Sequence, residues 1–370
     1  MRRLVVAAAA LALVSPALAA LPPVHARAYL VQDARTGDVL AAYRPRYRVP
    51  IASITKLMTV LLTLEHARPI DVVTVAPQAA GVGESTINLR PGERITVHDL
   101  LEAALVQSAN DAADALAYYV GRGDVNRFVA MMNARARQLG LTDTHYSRPD
   151  GLDAPAHYSS ARDVTKLARL LMRRPIVRQI VRQQTATISG GRVLHTWNDL
   201  LATFPGVIGV KTGHTSAAGW NEVAALQRPG IALYATILGS PDRGTRNADL
   251  TTLLRLGLAH FGRVTIVGAR PCATLATEFG RARVRLVPRR PLVAVVRVDK
   301  PLVLRVVAPA AVELPVQRGQ PLGRVFAYEQ GRFVGWRTLV AARAVSRPGV
   351  GGRVGWYARR TVHHVLGWVS

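Results

Sequence analysis

Ser53 and Lys56 are the pair of side chains in this sequence best placed to do chemistry. They stand three residues apart at the start of an apolar run, and on an α-helix that spacing puts both side chains on one face. Lysine can lose its proton at accessible pH, whereas arginine stays charged, and only four of the 48 basic residues are lysines. The pair is therefore predicted to be a nucleophile and its base. An ordinary exposed helix start is the alternative.

A second polar motif, Ser108-Ala109-Asn110, separates two apolar runs of helical spacing at 100–106 and 111–120. A short polar break between two such helices can present its side chains into a cleft. The same residues also suit a simple turn in which Ser108 or Asn110 caps the next helix. By itself this motif does not decide between the two interpretations.

A third motif, Lys211-Thr212-Gly213, lies on the strand-like segment 207–215. Ser-x-x-Lys, Ser-x-Asn and Lys-Thr-Gly, in that order along the chain, are the three signatures of penicillin-interacting serine acyl-transferases. Their joint occurrence favours a catalytic interpretation of the first two motifs over the structural alternatives.

The periodicity of apolar residues predicts the elements that must position these motifs. We expect a hairpin, a buried helix that carries Ser53 near its start, further helices, a long polar loop, an antiparallel meander and a closing helix. In chain order these elements fall at 28–43, 53–66, 96–106, 111–120, 131–139, 142–160 (the loop), 161–173, 207–238 (the meander) and 249–260.

Beyond residue 262 the helical signal fades and short β-branched runs take over, with Pro and Gly between them. This pattern predicts a separate small β domain. Its expected strands are 284–287, 292–298, 302–307 and 325–328.

Residues 1–20 have the charged start, short apolar middle and small-residue exit of a secretory signal peptide. The mature protein is therefore expected outside the cytoplasm. Cys272 is the only cysteine, so no intramolecular disulfide can form, and cysteine chemistry is not expected. The formal net charge of +25 suits anionic membrane surfaces and acidic wall polymers. No nucleic-acid motif, metal site or cofactor site is indicated.

The last segment, 349–370, combines apolar positions at helical spacing with two tryptophans and a basic side. Such a segment is typical of a helix that lies in a membrane interface. A helix packed on the protein's own β domain is the competing interpretation. His363 and His364 are adjacent and point in different directions, which is a poor geometry for binding one metal ion.

Together the motifs and their surroundings resemble the low-molecular-mass penicillin-binding proteins, which are serine-type D-alanyl-D-alanine carboxypeptidases. The resemblance is specific over 28–262 and looser beyond. It implies an α+β fold of the serine β-lactamase and penicillin-binding transpeptidase type, with a helical subdomain on an antiparallel sheet. The expected organisation is a signal peptide, a catalytic domain, a small all-β domain and a membrane-associated amphipathic helix, at 1–20, 21–262, 263–348 and 349–370.

The resemblance also implies roles for the motif residues. Ser53 would attack the peptide bond of a D-Ala-D-Ala terminus, with Lys56 as the proton acceptor. Ser108 would pass the proton to the leaving D-alanine. For this chemistry Lys56 must be neutral for part of the cycle, and a cation nearby would lower its pKa. The expected substrate is the peptidoglycan stem peptide, with β-lactams as covalent inhibitors.

Substrate binding falls, by the same resemblance, to residues of the second and third motifs. Backbone N–H groups of Ser53 and His214 would form an oxyanion hole, and the peptide would lie along the third-motif strand. The expected substrate-binding residues are Asn110, Lys211, Thr212, Gly213 and His214. The expected location is the periplasmic or extracytoplasmic face of the cytoplasmic membrane.

Three residues depart from the usual family pattern: Ala109, Asp150 and Trp197. Glycine or aspartate is commoner at the first, histidine occurs at the second in some relatives, and a more polar residue at the third in several. The first change should be tolerated. The other two bear on deacylation and substrate preference.

Rival functions share part of this pattern. A class A β-lactamase has all three motifs, but it needs a glutamate between the second and third to activate water, and none occurs between Asn110 and Lys211. The loop carboxylates Asp143, Asp150 and Asp153 are shorter and differently placed. A D,D-endopeptidase and a non-catalytic β-lactam-sensing or wall-binding protein remain as alternatives.

Overall fold

The computed structural model describes residues 4–11, 23–278, 282–351 and 354. Most of the predicted signal peptide (1–20) and nearly all of the predicted amphipathic helix (349–370) lie outside these residues, so both stay predictions. The chain divides into two compact units. One spans Ala19–Ala259, and the other begins at His260 and includes the strand Leu4–Leu11.

The described strands are numbered in chain order. They are β1 (Leu4–Leu11), β2 (Ala28–Asp33), β3 (Val39–Tyr43), β4 (Val72–Thr74), β5 (Arg94–Thr96), β6 (Thr185–Ile188), β7 (Arg192–His195), β8 (Val207–Thr215), β9 (Gly219–Arg228), β10 (Ile231–Ser240), β11 (Phe261–Val267), β12 (Ala273–Thr277), β13 (Arg283–Pro288), β14 (Leu292–Arg297), β15 (Leu302–Pro309), β16 (Ala311–Val312), β17 (Pro321–Glu329) and β18 (Arg332–Ala341).

The α-helices whose bounds are given below lie in the first unit, together with short 3₁₀ turns at Ala52–Thr55 and Ser189–Gly191 and a π-helical turn at Ala103–Gln107. The α-helices are α1 (Lys56–His66), α2 (Pro77–Ala80), α3 (Val97–Glu102), α4 (Asn110–Val120), α5 (Val125–Gln138), α6 (Ala161–Leu171), α7 (Pro175–Val181), α8 (Leu200–Thr203) and α9 (Arg243–Ala259).

The main sheet of the first unit has five antiparallel strands in the order β3-β2-β10-β9-β8. This arrangement confirms the predicted hairpin at 28–43 and the predicted meander at 207–238. Strand β8, which carries the Lys-Thr-Gly motif, lies at one edge of the sheet, so its outer side is open to an added strand. Helices α6 and α9 both pack on β10.

Helix α1 is buried along most of its length and packs against α4, α5 and α6. The apolar positions predicted to face the core do so, since Leu57, Met58 and Leu61 are at most 1% exposed. Such a buried helix fixes the residues at its start, where Lys56 stands, because every turn is held by neighbours. The predicted helix start at Thr96 is confirmed, because its side-chain oxygen accepts a hydrogen bond from the Asp99 N–H.

Several elements differ from expectation. Helix α5 begins at Val125, six residues before the predicted start at 131, and α2, α8 and the β4–β5 hairpin were not predicted. Helix α9 begins at Arg243, six residues before the predicted start, because Asp242 accepts hydrogen bonds from the N–H and hydroxyl of Thr245 and so supports an earlier first turn. Helix α7 and the β6–β7 hairpin were not predicted. Each is a short element whose apolar residues are too few to show a clear period.

The second unit is built from β strands. Its larger sheet has the order β1-β15-β17-β18-β13-β12-β16, and β11 pairs with β14. The four strands predicted here are present as β13, β14, β15 and β17. Strand β18 was missed because its apolar residues do not alternate with polar ones and Gly335 interrupts the run, but Gln330 and Gly331, both with positive φ, form a tight turn that pairs it with β17. Strands β11, β12 and β16 were also not predicted.

Helices against an antiparallel sheet, followed by a β unit, confirm the predicted α+β fold class. Within the described part of the chain, no helix has both the length and the apolar character to cross a bilayer.

Candidate active site

The Ser53 turn is built from residues whose backbone is under steric constraint. Ser53 lies in the 3₁₀ turn that precedes α1, and Ala52 before it has a left-handed φ of 50°, which costs a non-glycine residue about 1 kcal/mol or more. Gly151 packs against this turn so closely that a Cβ would lie 2.1 Å from the Ala52 carbonyl oxygen and 2.9 Å from Thr55 Oγ1. The nucleophile's turn is thus held from outside by a loop.

We expect Gly151→Ala to destabilise the protein and disable the site. Gly151 has a φ of +89°, which alone costs an alanine about 1–2 kcal/mol, and its clash with Ala52 adds about 1–3 kcal/mol. Gly123→Ala is the matched control, because its φ is +84° but a Cβ there meets no atom within 4 Å. Thermal unfolding and β-lactam labelling measure both effects. Equal losses in the two variants would contradict the packing role of Gly151.

Lys56 Nζ has three hydrogen-bond acceptors around it. It donates to Ser53 Oγ at 2.8 Å, to Asn110 Oδ1 at 2.7 Å and to the Asp150 carbonyl oxygen at 2.6 Å. The last two atoms can only accept, so when Lys56 loses a proton its two remaining N–H groups stay with them and its lone pair faces Ser53. In this geometry a neutral Lys56 can accept a proton from the Ser53 hydroxyl.

Burial is the main reason that Lys56 can act as a base. The side chain is fully buried, and loss of hydration lowers its pKa from 10.5 to about 8 although nearby carboxylates oppose the shift. At pH 7 about a tenth of the lysine is then neutral. The sequence expectation placed the cause in a neighbouring cation, whereas in the structure burial comes first.

The second motif forms a loop held by several hydrogen bonds. Ser108 ends the π-helical turn in a left-handed conformation, with φ of 67° and ψ of 28°. Asn110 begins α4, its backbone N–H donates to the Ser85 carbonyl, and its Nδ2 donates to the Gly83 carbonyl at 3.0 Å. Because Nδ2 is fixed in this way, Oδ1 must face Lys56. The motif is an inter-helix turn that presents side chains to the cleft, but neither Ser108 nor Asn110 caps the next helix, because the N-cap of α4 is Ala109 and no side chain caps it.

Lys211 is bound to the second motif. Its Nζ donates to Ser108 Oγ at 2.8 Å and to the Thr212 carbonyl at 2.9 Å. Burial, followed by repulsion from Lys56, holds the pKa of Lys211 well below its usual range. Each lysine therefore holds a serine hydroxyl, and both are poised to lose or accept protons in the cleft.

The third motif brings β8 against the nucleophile's turn. A Cβ on Gly213 would lie 2.9 Å from the Ser53 backbone nitrogen and 2.8 Å from the Ile51 carbonyl oxygen, so only glycine allows this approach. His214 follows on β8 and stacks on Trp220 of β9, with ring centroids 4.1 Å apart.

These residues surround a cavity of about 200 Å³, large enough for a small peptide terminus but not for a whole stem peptide. Every predicted site residue except Lys56 and Lys211 lines it, and those two contact lining residues from behind. The lining residues are Ser53, Glu84, Ser85, Ser108, Asn110, Leu152, Trp197, Thr212, Gly213, His214, Trp220 and Arg246.

Sequence reasoning missed Arg246 and its partner Glu222. Arg246 lines the cavity although it is only 1% exposed, its Nε lies 3.2 Å from a carboxylate oxygen of the fully buried Glu222, and its guanidinium lies over the Trp220 ring. Burial raises the pKa of Glu222 to about 7. A glutamate inside the apolar strand 220–226 was the available signal, because a buried acid needs a partner.

The residues that depart from the family pattern have definite places. Asp150 is buried with its carboxylate bound by Arg148, at 2.7 and 3.0 Å. Trp197 is 45% exposed at the cavity's edge, where its indole N–H donates to the Gln107 carbonyl. Ala109 is fully buried.

The other two loop carboxylates are also engaged. Asp143 pairs with Arg46 and Arg162, and Asp153 accepts from the Thr215 hydroxyl at 2.7 Å. Neither lines the cavity.

Among the described residues, His98, Asp99 and Glu102 could together hold a metal ion. They lie on α3 and do not line the cavity. Asp99 already accepts from Ser189 and Glu102 from Gln183, so protein donors satisfy part of the group.

Three features of this site define the class of penicillin-interacting serine acyl-transferases. They are a serine paired with a buried lysine, a second serine held by a second lysine, and an open edge strand beside them. Comparison with known proteins narrows the assignment from this class to one family. Residues 15–242 match the family described as D-alanyl-D-alanine carboxypeptidase, and the chain belongs to that family.

Known relatives agree with this assignment. The D-alanyl-D-alanine carboxypeptidase DacC of Escherichia coli K12 is 31% identical over 94% of this chain and 92% of its own length. The crystal structure of penicillin binding protein 5 from Haemophilus influenzae superposes with a TM-score of 0.63 at 28% identity, over 90% of this chain and 100% of that chain. DacD from Francisella tularensis, at 23% identity, 89% and 95% coverage and a TM-score of 0.63, supports the fold alone.

Proposed function

We propose that this protein removes the terminal D-alanine from peptidoglycan stem pentapeptides through an acyl-enzyme on Ser53. The observation that carries the proposal is the direction of the Lys56 lone pair, which the Asn110 and Asp150 acceptors leave facing Ser53 Oγ at 2.8 Å. Membership of the carboxypeptidase family supports the same reaction.

In acylation, Ser53 Oγ forms a bond to the carbonyl carbon between the two D-alanines, while its proton goes to Lys56. The C–N bond then breaks as the proton taken up by Lys56 passes through Ser108 to the leaving amine, which leaves Lys56 neutral again. Water afterwards attacks the ester carbonyl and gives a proton to Lys56, and Lys56 returns that proton to Ser53 Oγ as the ester C–O bond breaks. Each role uses a contact already present, since Lys56 holds Ser53 and Lys211 holds Ser108.

Substrate binding follows from the charges and the open strand. The terminal carboxylate would be drawn to the buried guanidinium of Arg246 and to the buried Lys211 in its protonated form, which the incoming negative charge favours. The peptide backbone would pair with β8 along Thr212–His214. Backbone N–H groups of Ser53 and His214 would stabilise the oxyanion, each by about 3 kcal/mol.

The rival functions are separated by one set of assays. The protein is incubated with a soluble pentapeptide ending in D-Ala-D-Ala, with a cross-linked muropeptide dimer and with a chromogenic cephalosporin. We expect release of D-alanine and a covalent cephalosporin adduct with little turnover. Rapid cephalosporin hydrolysis alone would indicate a β-lactamase, dimer cleavage alone an endopeptidase, and an adduct without peptide cleavage a sensor.

The loop carboxylates argue against the β-lactamase in advance. A class A β-lactamase uses a glutamate between the second and third motifs as its deacylating base, and none of the loop carboxylates Asp143, Asp150 and Asp153 contributes to the cavity lining. In addition, Arg148 binds both oxygens of Asp150.

We also propose that the enzyme works at the outer face of the cytoplasmic membrane, held there by the basic amphipathic segment 349–370. Support comes from the sequence of this segment, with its tryptophans and arginines. Deleting 352–370 is expected to abolish sedimentation with anionic vesicles and to leave hydrolysis of a soluble pentapeptide unchanged. Full-length protein that stays in the supernatant would refute the anchor.

A further inference from the structure

Charged side chains around Lys56 interact electrostatically with it or with one another. We call this group the Lys56 charge cluster, and its members are Lys56, Asp114, Arg148 and Asp150. Asp150 is tied to both cations, because its carboxylate binds Arg148 and its carbonyl accepts from Lys56. Asp114 has no such tie.

Asp114 is placed toward this cluster by helix α4. It follows Asn110 by four residues, so the two side chains lie on one face, one turn apart. Asn110 touches Lys56 Nζ at 2.7 Å, and α4 packs on α1. Asp114 is 7% exposed, and its Oδ1 is buried without a hydrogen-bond partner. A buried carboxylate oxygen without a partner is costly, so its retention calls for an explanation.

We propose that Asp114 is a positioning residue that controls the protonation state of Lys56, and therefore how readily Lys56 accepts the proton of Ser53. The proposal rests on the proposed role of Lys56 as the base. Asp114 touches neither the nucleophile nor the cavity, so it acts through the electric field at Lys56.

The charged groups around the two side chains fix the sign of the effect. Burial, and then repulsion from Asp150, raise the pKa of Asp114 to about 7. Below pH 7 Asp114 is therefore mainly neutral, and above it the new negative charge favours the ammonium form of Lys56 and opposes its deprotonation. The charged groups that act on Asp114 are Asp150, Arg148, Lys56 and Asp111. Those that act on Lys56 are Asp150, Asp114, Asp111 and Glu84. In addition, Lys211 and Lys56 repel one another.

The consequence is a base of well-matched strength. Burial alone would make Lys56 neutral at low pH but weakly basic, whereas the Asp114 charge keeps its pKa close to the working pH, where proton transfer is most effective. Removing the Asp114 charge should lower the pKa of Lys56 and thereby change the rate of acylation.

The test is the pH dependence of the second-order rate of acylation by a fluorescent penicillin, measured for wild type and Asp114→Asn. We expect the midpoint of the acid limb, near pH 8 in wild type, to fall by about one unit in the variant. The rate at the alkaline plateau should fall as well, because a less basic lysine is a poorer proton acceptor. Asp124→Asn, which removes a charge from the exposed start of α5, is the control and should leave the midpoint unchanged.

A purely structural role would lower the rate at every pH without moving the midpoint, and an unchanged midpoint overturns the proposal. If Asp114→Asn does not fold, carbon NMR of labelled wild-type protein replaces it. The Lys56 ε-carbon signal should then respond when the Asp114 carboxyl titrates, and absence of that response overturns the proposal. Wild-type protein that no penicillin acylates would instead refute the proposed function itself.

Discussion

Ser53→Ala is expected to lose covalent labelling by fluorescent penicillin and to release D-alanine from a pentapeptide at least about 10⁴-fold more slowly than wild type. The loss is this large because no other hydroxyl can replace Ser53 beside Lys56. Ser108 is held by Lys211 at 2.8 Å and has a different task. The variant should fold normally, since it removes one half-buried hydroxyl from a turn fixed by its backbone.

Ser147→Ala is the matched control, because this serine is half-buried like Ser53, donates to the Pro155 carbonyl in the loop and does not line the cavity. It should be labelled like wild type. Labelling that persists in Ser53→Ala would assign the nucleophile to another residue and end the present account of the site.

Lys56→Arg is expected to have the second largest effect, a loss of about 10³-fold or more in acylation rate at every pH below 10. Arginine keeps the positive charge but cannot give up its proton. In wild type, the folded-state pKa of about 8 means that the neutral fraction rises tenfold per pH unit up to pH 8 and then levels off. The acylation rate should follow this curve, and the curve should vanish in Lys56→Arg.

Lys166→Arg makes the same exchange on the exposed face of α6 and should keep both the rate and the acid limb. Circular dichroism checks that the larger side chain at position 56 leaves the fold intact. A folded Lys56→Arg variant with the wild-type pH profile would exclude Lys56 as the base.

The residues of the candidate site could be picked out from the sequence because each motif is local. Ser53 and Lys56 need only one helical turn to meet, and Ser108 and Asn110 only a short loop. Their assembly into one site was given by the family resemblance, and the 2.7–2.8 Å contacts that join Lys56 to Asn110 and Lys211 to Ser108 confirm it as a spatial arrangement.

Contacts between distant elements could not be predicted in the same way. Glu222 and Arg246 are 24 residues apart, on β9 and α9, and although a glutamate in an apolar strand indicates that a partner is needed, nothing in the sequence identifies Arg246 as that partner. Likewise, nothing in the sequence shows that Asp114 faces Lys56, because the helical period gives the face of α4 but not its neighbour. The sequence also could not show that burial, rather than a neighbouring cation, is the largest cause of the lowered pKa of Lys56, since burial is a property of the packed core.

Element boundaries show the same limit. The predicted closing helix began at Asp249 because the apolar period starts there, whereas hydrogen bonds to Asp242 let the helix begin at Arg243. That difference matters for function, since it places Arg246 on the first turn of α9, beside the cavity.

The most direct test of the central claim is to identify the atom that becomes acylated. The protein is mixed with penicillin, quenched within seconds, digested and examined by mass spectrometry, while D-alanine release from a pentapeptide is measured on the same preparation. The account predicts one penicilloyl group, on the peptide that contains Ser53, and D-alanine release that stops when this site is filled. An adduct on any other residue, or D-alanine release that continues after Ser53 is fully acylated, would contradict it.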